Sequence, residues 1–189
     1  MTELIYPSAP APLLPGSDMA KACELLPVVD ATGTVVAQAS RKFCHAGTKP
    51  LHPVIHLHII NRNGEIFLQK RASFKKVCPG MWDTAVGGHV SYGEQVLETL
   101  YREAAEELHF YDFNPVCVDT YVFESGIEKE LINVFAAVGD FSPVPDGYEV
   151  TDGRYWSPAQ IKAASGKGLL TPNFVSEYKR VKSALEALL

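Results

Sequence analysis

The chain has no Cys-x-x-Cys pair, no basic run, and no apolar stretch near the roughly 18 residues that a membrane span needs. Each absence removes a class of function. Cys23, Cys44, Cys78 and Cys117 are scattered over 189 residues, which gives neither metal-finger spacing nor a disulfide framework. Free thiols in a reducing cytosol are expected. A formal net charge of −5, with no helix-turn-helix pattern, argues against nucleic acid as a partner. No basic segment leads into an apolar core at the start, so no secretory signal is read. The expectation is a cytoplasmic protein that engages no membrane. No internal repeat is found.

What is present suits one globular domain, with 47% hydrophobic residues. YPSAPAPLLPG, residues 6 to 16, is rich in proline. Residues 1–24 therefore read as a flexible lead-in, and 25–189 as the domain. LPVVDATGTVVAQ alternates around a D-A-T-G turn and predicts a hairpin. RKFCHAGTKP reads as a short helical or irregular link. VIHLHII, residues 54 to 60, and EIFLQKRA read as strands across an N-R-N-G turn. PGMWD reads as a turn and TAV as a short strand. Ser91 and Glu94 fit a capping box, which predicts a helix from there. VCVDTYVFE, KELINVFAAVG and GRYWS read as strands. SPAQIKAAS and NFVSEYKRVKSALEALL read as helices. The mixture predicts an α/β or α+β layered class.

The segment GGHVSYGEQVLETLYREAAEELHF crowds Glu103, Glu106 and Glu107 into five positions. At about 100° per residue, Leu97, Leu100, Ala104 and Leu108 fall together as a core face. The glutamates share a neighbouring arc. Like charges on an exposed helix cost only roughly 0.2–0.5 kcal/mol per pair, so a solvated acidic face is one reading. Three features favour a functional one. The cluster borders the apolar face, it lies near the helix C-terminus where the macrodipole disfavours anions, and Gly87-Gly88 lets backbone come close. Carboxylates at i, i+3 and i+4 make an oxygen site for Mg²⁺ or Mn²⁺.

These residues resemble the Nudix hydrolase signature, G-x5-E-x7-R-E-U-x-E-E-x-G-U. The chain supplies Gly88, Glu94, Arg102-Glu103, Ala104, Glu106-Glu107 and Phe110 at matching spacing. His109 stands where the family has glycine, and Phe110 where it has an aliphatic residue. The resemblance implies an α/β/α sandwich around a mixed sheet. It also implies Mg²⁺- or Mn²⁺-dependent hydrolysis of a nucleoside diphosphate linked to X, or of a related diphosphate. Glu103, Glu106, Glu107 and the Gly87 carbonyl become metal ligands, Arg102 orients the carboxylates, and Glu94 supports them. The same resemblance implies a homodimer.

The flanks resemble the branch of this superfamily that contains type 1 isopentenyl-diphosphate isomerase, from about residue 27 to 175. That resemblance implies a second metal site at His45, His52, His89, Glu128 and Glu130. Isolated histidines are more often filler or framework, and that is the reading for His56 and His58. For the other three the choice is even. The isomerases carry a catalytic cysteine two residues before the third histidine, and Gly87 stands there. Isomerisation is therefore disfavoured, while an isoprenoid-diphosphate enzyme remains the alternative. A non-catalytic nucleotide-sensing module is the other, although its marks, eroded glutamates or an added DNA-binding segment, are missing. Arg71 and Lys75 are candidates to clamp diphosphate oxygens. Trp82 and Phe74 read as core or turn packing.

Overall fold

The computed structural model describes residues 23–189, so the reading of the proline-rich segment lies outside the described residues. A hairpin of β1 (Leu25–Val29) and β2 (Val35–Ser40) turns where Asp30 accepts from the backbone N–H groups of Thr32 and Thr34. A helical turn, α1 (Arg41–Phe43), runs into a π-turn at Cys44–Thr48. Then β3 (Leu51–Ile60) and β4 (Ile66–Arg71) pair antiparallel across the N-R-N-G turn. Here Asn61 accepts from the N–H groups of Asn63 and Glu65.

Short strands β5 (Trp82–Thr84) and β6 (Val86–His89) follow. Part of the P-G-M-W-D segment read as a turn is thus strand, because Trp82 and Asp83 pair with Lys70 and Gln69. Helix α2 is Val96–Leu108. Strands β7 (Val116–Glu124), β8 (Lys129–Val138) and β9 (Val150–Trp156) precede α3 (Pro158–Ala164) and α4 (Pro172–Glu186).

The strands form a mixed seven-stranded sheet. Its main path runs β5-β4-β3-β8-β7, with β6 on β3 and β9 on β4. The β3–β8 pair is parallel and its neighbours are antiparallel. Alternation along β3 divides the core. Ile55, Leu57 and Ile59 pack with Leu100, Ala104 and Leu108 of α2. On the other face Ile60 packs with Ile161 of α3 and Phe174 and Val181 of α4. Each layer buries one stripe of a helix on one face of the sheet, the α/β/α arrangement expected from the sequence.

Two details of α2 differ from expectation. The helix starts at Val96, with Gln95 and Glu98 forming the capping box, rather than at Ser91–Glu94. Glu94 does accept from the Ser91 N–H at 3.4 Å, but its oxygens also accept from Arg102 and the Thr99 hydroxyl, and the helix begins only beyond it. Leu97 was expected in the core face but is 49% exposed, and Thr99 is buried instead, drawn in by its bond to Glu94. The helix ends at His109, whose φ of +46° is the left-handed geometry that explains a glycine in the Nudix pattern at this point.

Candidate active site and metal centre

Strand β6 carries Gly87, Gly88 and His89 between the two helical layers, and a cleft of about 910 Å³ opens beside it. One wall is α2. A Cβ at Gly88 would lie 2.4 Å from the Glu103 carboxyl carbon, so the glycine is what lets that carboxylate lie against the strand. Arg102 ties the acidic residues together. It holds Glu94 with two bonds, at 2.8 and 3.0 Å, and reaches Glu103 at 2.9 Å and Glu106 at 3.2 Å. The Arg102 hydrogen bonds hold the Glu94 carboxyl below its usual range.

Glu103 and Glu107 behave in the opposite way. Burial raises Glu103 despite Arg102 beside it. Burial, and then the Glu103 charge, push Glu107 up to about 8. Its nearest hydrogen-bond donor is the Gln69 amide at 3.4 Å. Glu103 and Glu107 are half-buried on one cleft wall, with Arg102 bonded to Glu103 alone of the two, and form a donor set that suits a hard divalent ion. Glu106 is the most exposed member and turns toward Arg102.

A second cluster lies beyond β6. The π-turn delivers His45, the start of β3 delivers His52, and β6 ends in His89. Ligand nitrogens of the three lie within 4.8 Å of one another. His52 donates through Nδ1 to the Pro50 carbonyl, so its buried Nε2 carries a lone pair and has no partner among the described residues. His45 Nδ1 sits 2.9 Å from Glu128, and His89 Nε2 sits 3.7 Å from Glu130. Burial lowers His52 and holds His89 well below its ordinary value, so both rings are neutral and offer lone pairs. The hydrogen bond from His45 lowers Glu128, while burial pushes Glu130 up to about 7. An orphaned imidazole nitrogen facing two more imidazoles, with a carboxylate behind one of them, fits a metal ion. Nitrogen donors favour a borderline ion over Mg²⁺. A His45→Ala/His52→Ala double substitution is expected to abolish metal binding at this cluster. Elemental analysis of the purified protein checks it.

Arg71 and Lys75 also line the cleft, each against a carboxylate: Arg71 on Asp83 at 3.3 Å, and Lys75 on Glu149. Cys78 borders the cleft too, from the loop after β4 rather than from β6. Trp82 packs edge-on against Trp156, as a packing residue should. Phe74 does not: it is 57% exposed and meets Tyr148 from the facing loop. The reading of His56 and His58 as filler holds for His58, which is fully buried. His56 lines the cleft. Both histidines donate to Glu177 of α4; burial works against a charged His56, but the charge and hydrogen bond of Glu177, together with the Glu130 and Asp83 charges, lift it to about 9. Glu177 was missed because it lies 121 residues from His56, inside an ordinary amphipathic helix pattern.

The fold and the glutamate helix define a class. Residues 50–174 match the NUDIX domain, and the chain belongs to the Nudix family. Within it, the curated relatives place the chain in the branch resembling isopentenyl-diphosphate isomerase. The isopentenyl-diphosphate Delta-isomerase of Paenarthrobacter aurescens is 32% identical over 152 residues, covering 76% of this chain and 81% of that protein. The enzyme of the same name from Brevibacterium linens is 29% identical over 147 residues, covering 75% and 81%. Among solved structures, DR0079 from Deinococcus radiodurans superposes with a TM-score of 0.72 at 21% identity, over 84% of this chain and 99% of that one. The NUDIX domain of Shewanella oneidensis NrtR, solved with ADP ribose, gives 0.58 at 14% identity, over 72% and 88%. At these identities the two structures bear on the fold alone. Among the described residues, no helix is long and apolar enough to cross a membrane.

Proposed function

We propose that the chain is a divalent-metal-dependent Nudix pyrophosphohydrolase. Its substrate is a nucleoside diphosphate linked to a second moiety, or a related organic diphosphate. The observation that carries this reading is the pair of half-buried carboxylates, Glu103 and Glu107, on the cleft wall with Arg102 locking their helix face. Glu103, Glu106, Glu107 and the Gly87 carbonyl would hold Mg²⁺ or Mn²⁺. When bound, the ion neutralises the diphosphate and acidifies a water for in-line attack at phosphorus. Arg102 and Glu94 fix the carboxylates in position, and one of the three glutamates takes the proton from the attacking water. Arg71 and Lys75 exchange their present carboxylate partners for diphosphate oxygens. A cytoplasmic setting and a homodimer belong to the same reading.

The second reading, an isoprenoid-diphosphate enzyme, is favoured by the three-histidine cluster and by the names of the curated relatives. Gly87 opposes the isomerase form of it, because β6 offers no thiol to move a proton at carbon. A phosphate- and pyrophosphate-release screen separates the readings. It covers nucleotide sugars, ADP-ribose, dinucleotides, nucleoside triphosphates, thiamine diphosphate and isoprenoid diphosphates, with Mg²⁺ or Mn²⁺ and an EDTA control. Metal-dependent release from one group is expected. Silence from folded, metal-loaded protein would shift the account to a nucleotide-sensing module.

A further inference from the structure

His56 belongs to neither the glutamate set nor the three-histidine cluster, and the reaction above assigns it nothing. Its Nδ1 donates to Glu177 at 2.6 Å, a separation typical of charge-assisted bonds. The Glu177 side chain is 1% exposed and also accepts from His58 Nε2 at 2.9 Å and the Tyr121 hydroxyl at 2.8 Å. His58 is sealed in the core, and Tyr121 packs beneath Arg180. Those two donors already satisfy the carboxylate and need no further purpose. Of the three groups held by Glu177, only His56 lines the cleft.

The ring is uncovered there because residue 87 is glycine. A Cβ at that position would lie 3.4 Å from Cδ2 and 3.7 Å from Nε2 of His56. The short bond to a buried carboxylate marks the ring as an imidazolium, so with Nδ1 committed to Glu177 the Nε2–H is the donor left for a ligand. The hydroxyl of Thr84, which also lines the cleft, is buried and has no partner among the described residues. Buried polar atoms are seldom left unpaired, so the two together point to a polar ligand seated along this wall.

We propose that His56 is a substrate-contacting residue whose Nε2 edge, bared by Gly87, donates a hydrogen bond to a diphosphate oxygen, with Glu177 as the positioning residue that holds the ring. This rests on the diphosphate reading of the cleft but not on hydrolysis.

Calorimetric titration of the full chain with inorganic pyrophosphate in Mg²⁺ tests it. In His56→Asn the amide can still donate to Glu177 but cannot reach into the cleft. Pyrophosphate affinity is expected to fall roughly tenfold or more, the scale of one lost hydrogen bond to a charged group. The melting temperature and Mg²⁺ binding alone should stay near wild type. Glu177→Gln should weaken pyrophosphate in the same way, and the double variant should lose little more than either single. Wild-type affinity in a folded His56→Asn protein, or no pyrophosphate binding by the wild type, overturns the proposal. If His56→Asn does not fold, Glu177→Gln, which keeps the ring and removes the charge that holds it, decides in its place. Pyrophosphate binding that depends on His56 without turnover of any diphosphate would sink the hydrolase reading and leave this one standing. Turnover with unaltered binding in His56→Asn would do the reverse.

Discussion

Glu107→Gln is expected to lower kcat/KM on a diphosphate substrate by roughly a hundredfold to ten-thousandfold, the range for losing a general base or a metal-bound charge. The same substitution should change the metal-free protein in the opposite sense. Burial and then the Glu103 charge push the folded carboxyl up to about 8, against an ordinary value of 4.5. Between those values the folded state holds a proton that the unfolded chain has released. Stability therefore falls as pH rises through that window, since folding must either retain the proton or bury the charge. Glutamine has no such proton. In EDTA, the wild type should lose melting temperature relative to Glu107→Gln from about pH 5 to about pH 8. Adding Mg²⁺ should restore the wild type and leave the variant unmoved. Parallel melting curves across that range would show that folding does not raise the Glu107 carboxyl.

Gly88→Ala should cost activity out of proportion to stability. The new methyl would sit 2.4 Å from the Glu103 carboxyl carbon and 2.5 Å from Oε1, far inside contact distance. The strand cannot yield easily, because β6 is paired with β3 at Ile55. The side chain of Glu103 can, by changing rotamer away from the cleft. The fold should survive with a loss of about 1–3 kcal/mol, typical of a local overpacking. Metal-dependent turnover should drop about a hundredfold, as when a group that orients metal ligands is disturbed. Gly87→Ala is the control for stability: its Cβ meets His56 at 3.4 Å, an ordinary contact. If Gly88→Ala retains full turnover, Glu103 has no part in the chemistry.

Much of this arrangement was legible in the sequence because its cues are local. The D-A-T-G and N-R-N-G turns, the alternation in V-I-H-L-H-I-I, and Ser157 before Pro158 each report a backbone geometry set within a few residues. The glutamate spacing on α2 is a helix property and survives folding unchanged. What was hidden depends on distant partners. Glu94 looked like a cap, yet Arg102 eight positions on claims both of its oxygens. Leu97 looked like core, yet the bond from Thr99 to Glu94 goes with a buried Thr99 in its place. His56 looked like filler because Glu177 arrives from the last helix. Phe74 looked like packing, and nothing in its own segment signals that the loop after β4 stands open beside Tyr148.

On the proposed reading, a Nudix glutamate helix in a chain whose curated relatives bear the name of an isomerase breaks a diphosphate instead of shifting a double bond. Following one incubation by ³¹P and ¹H NMR tests both halves at once. The protein is supplied with Mg²⁺, isopentenyl diphosphate and the diphosphate that responds best in the release screen, beside a Glu107→Gln control. The expected result is metal-dependent loss of diphosphate phosphorus signals, absent in Glu107→Gln, with the olefinic protons of isopentenyl diphosphate unchanged. Migration of those protons with every diphosphate intact would contradict the account and return Gly87, Cys78 and His56 to scrutiny as parts of an isomerase.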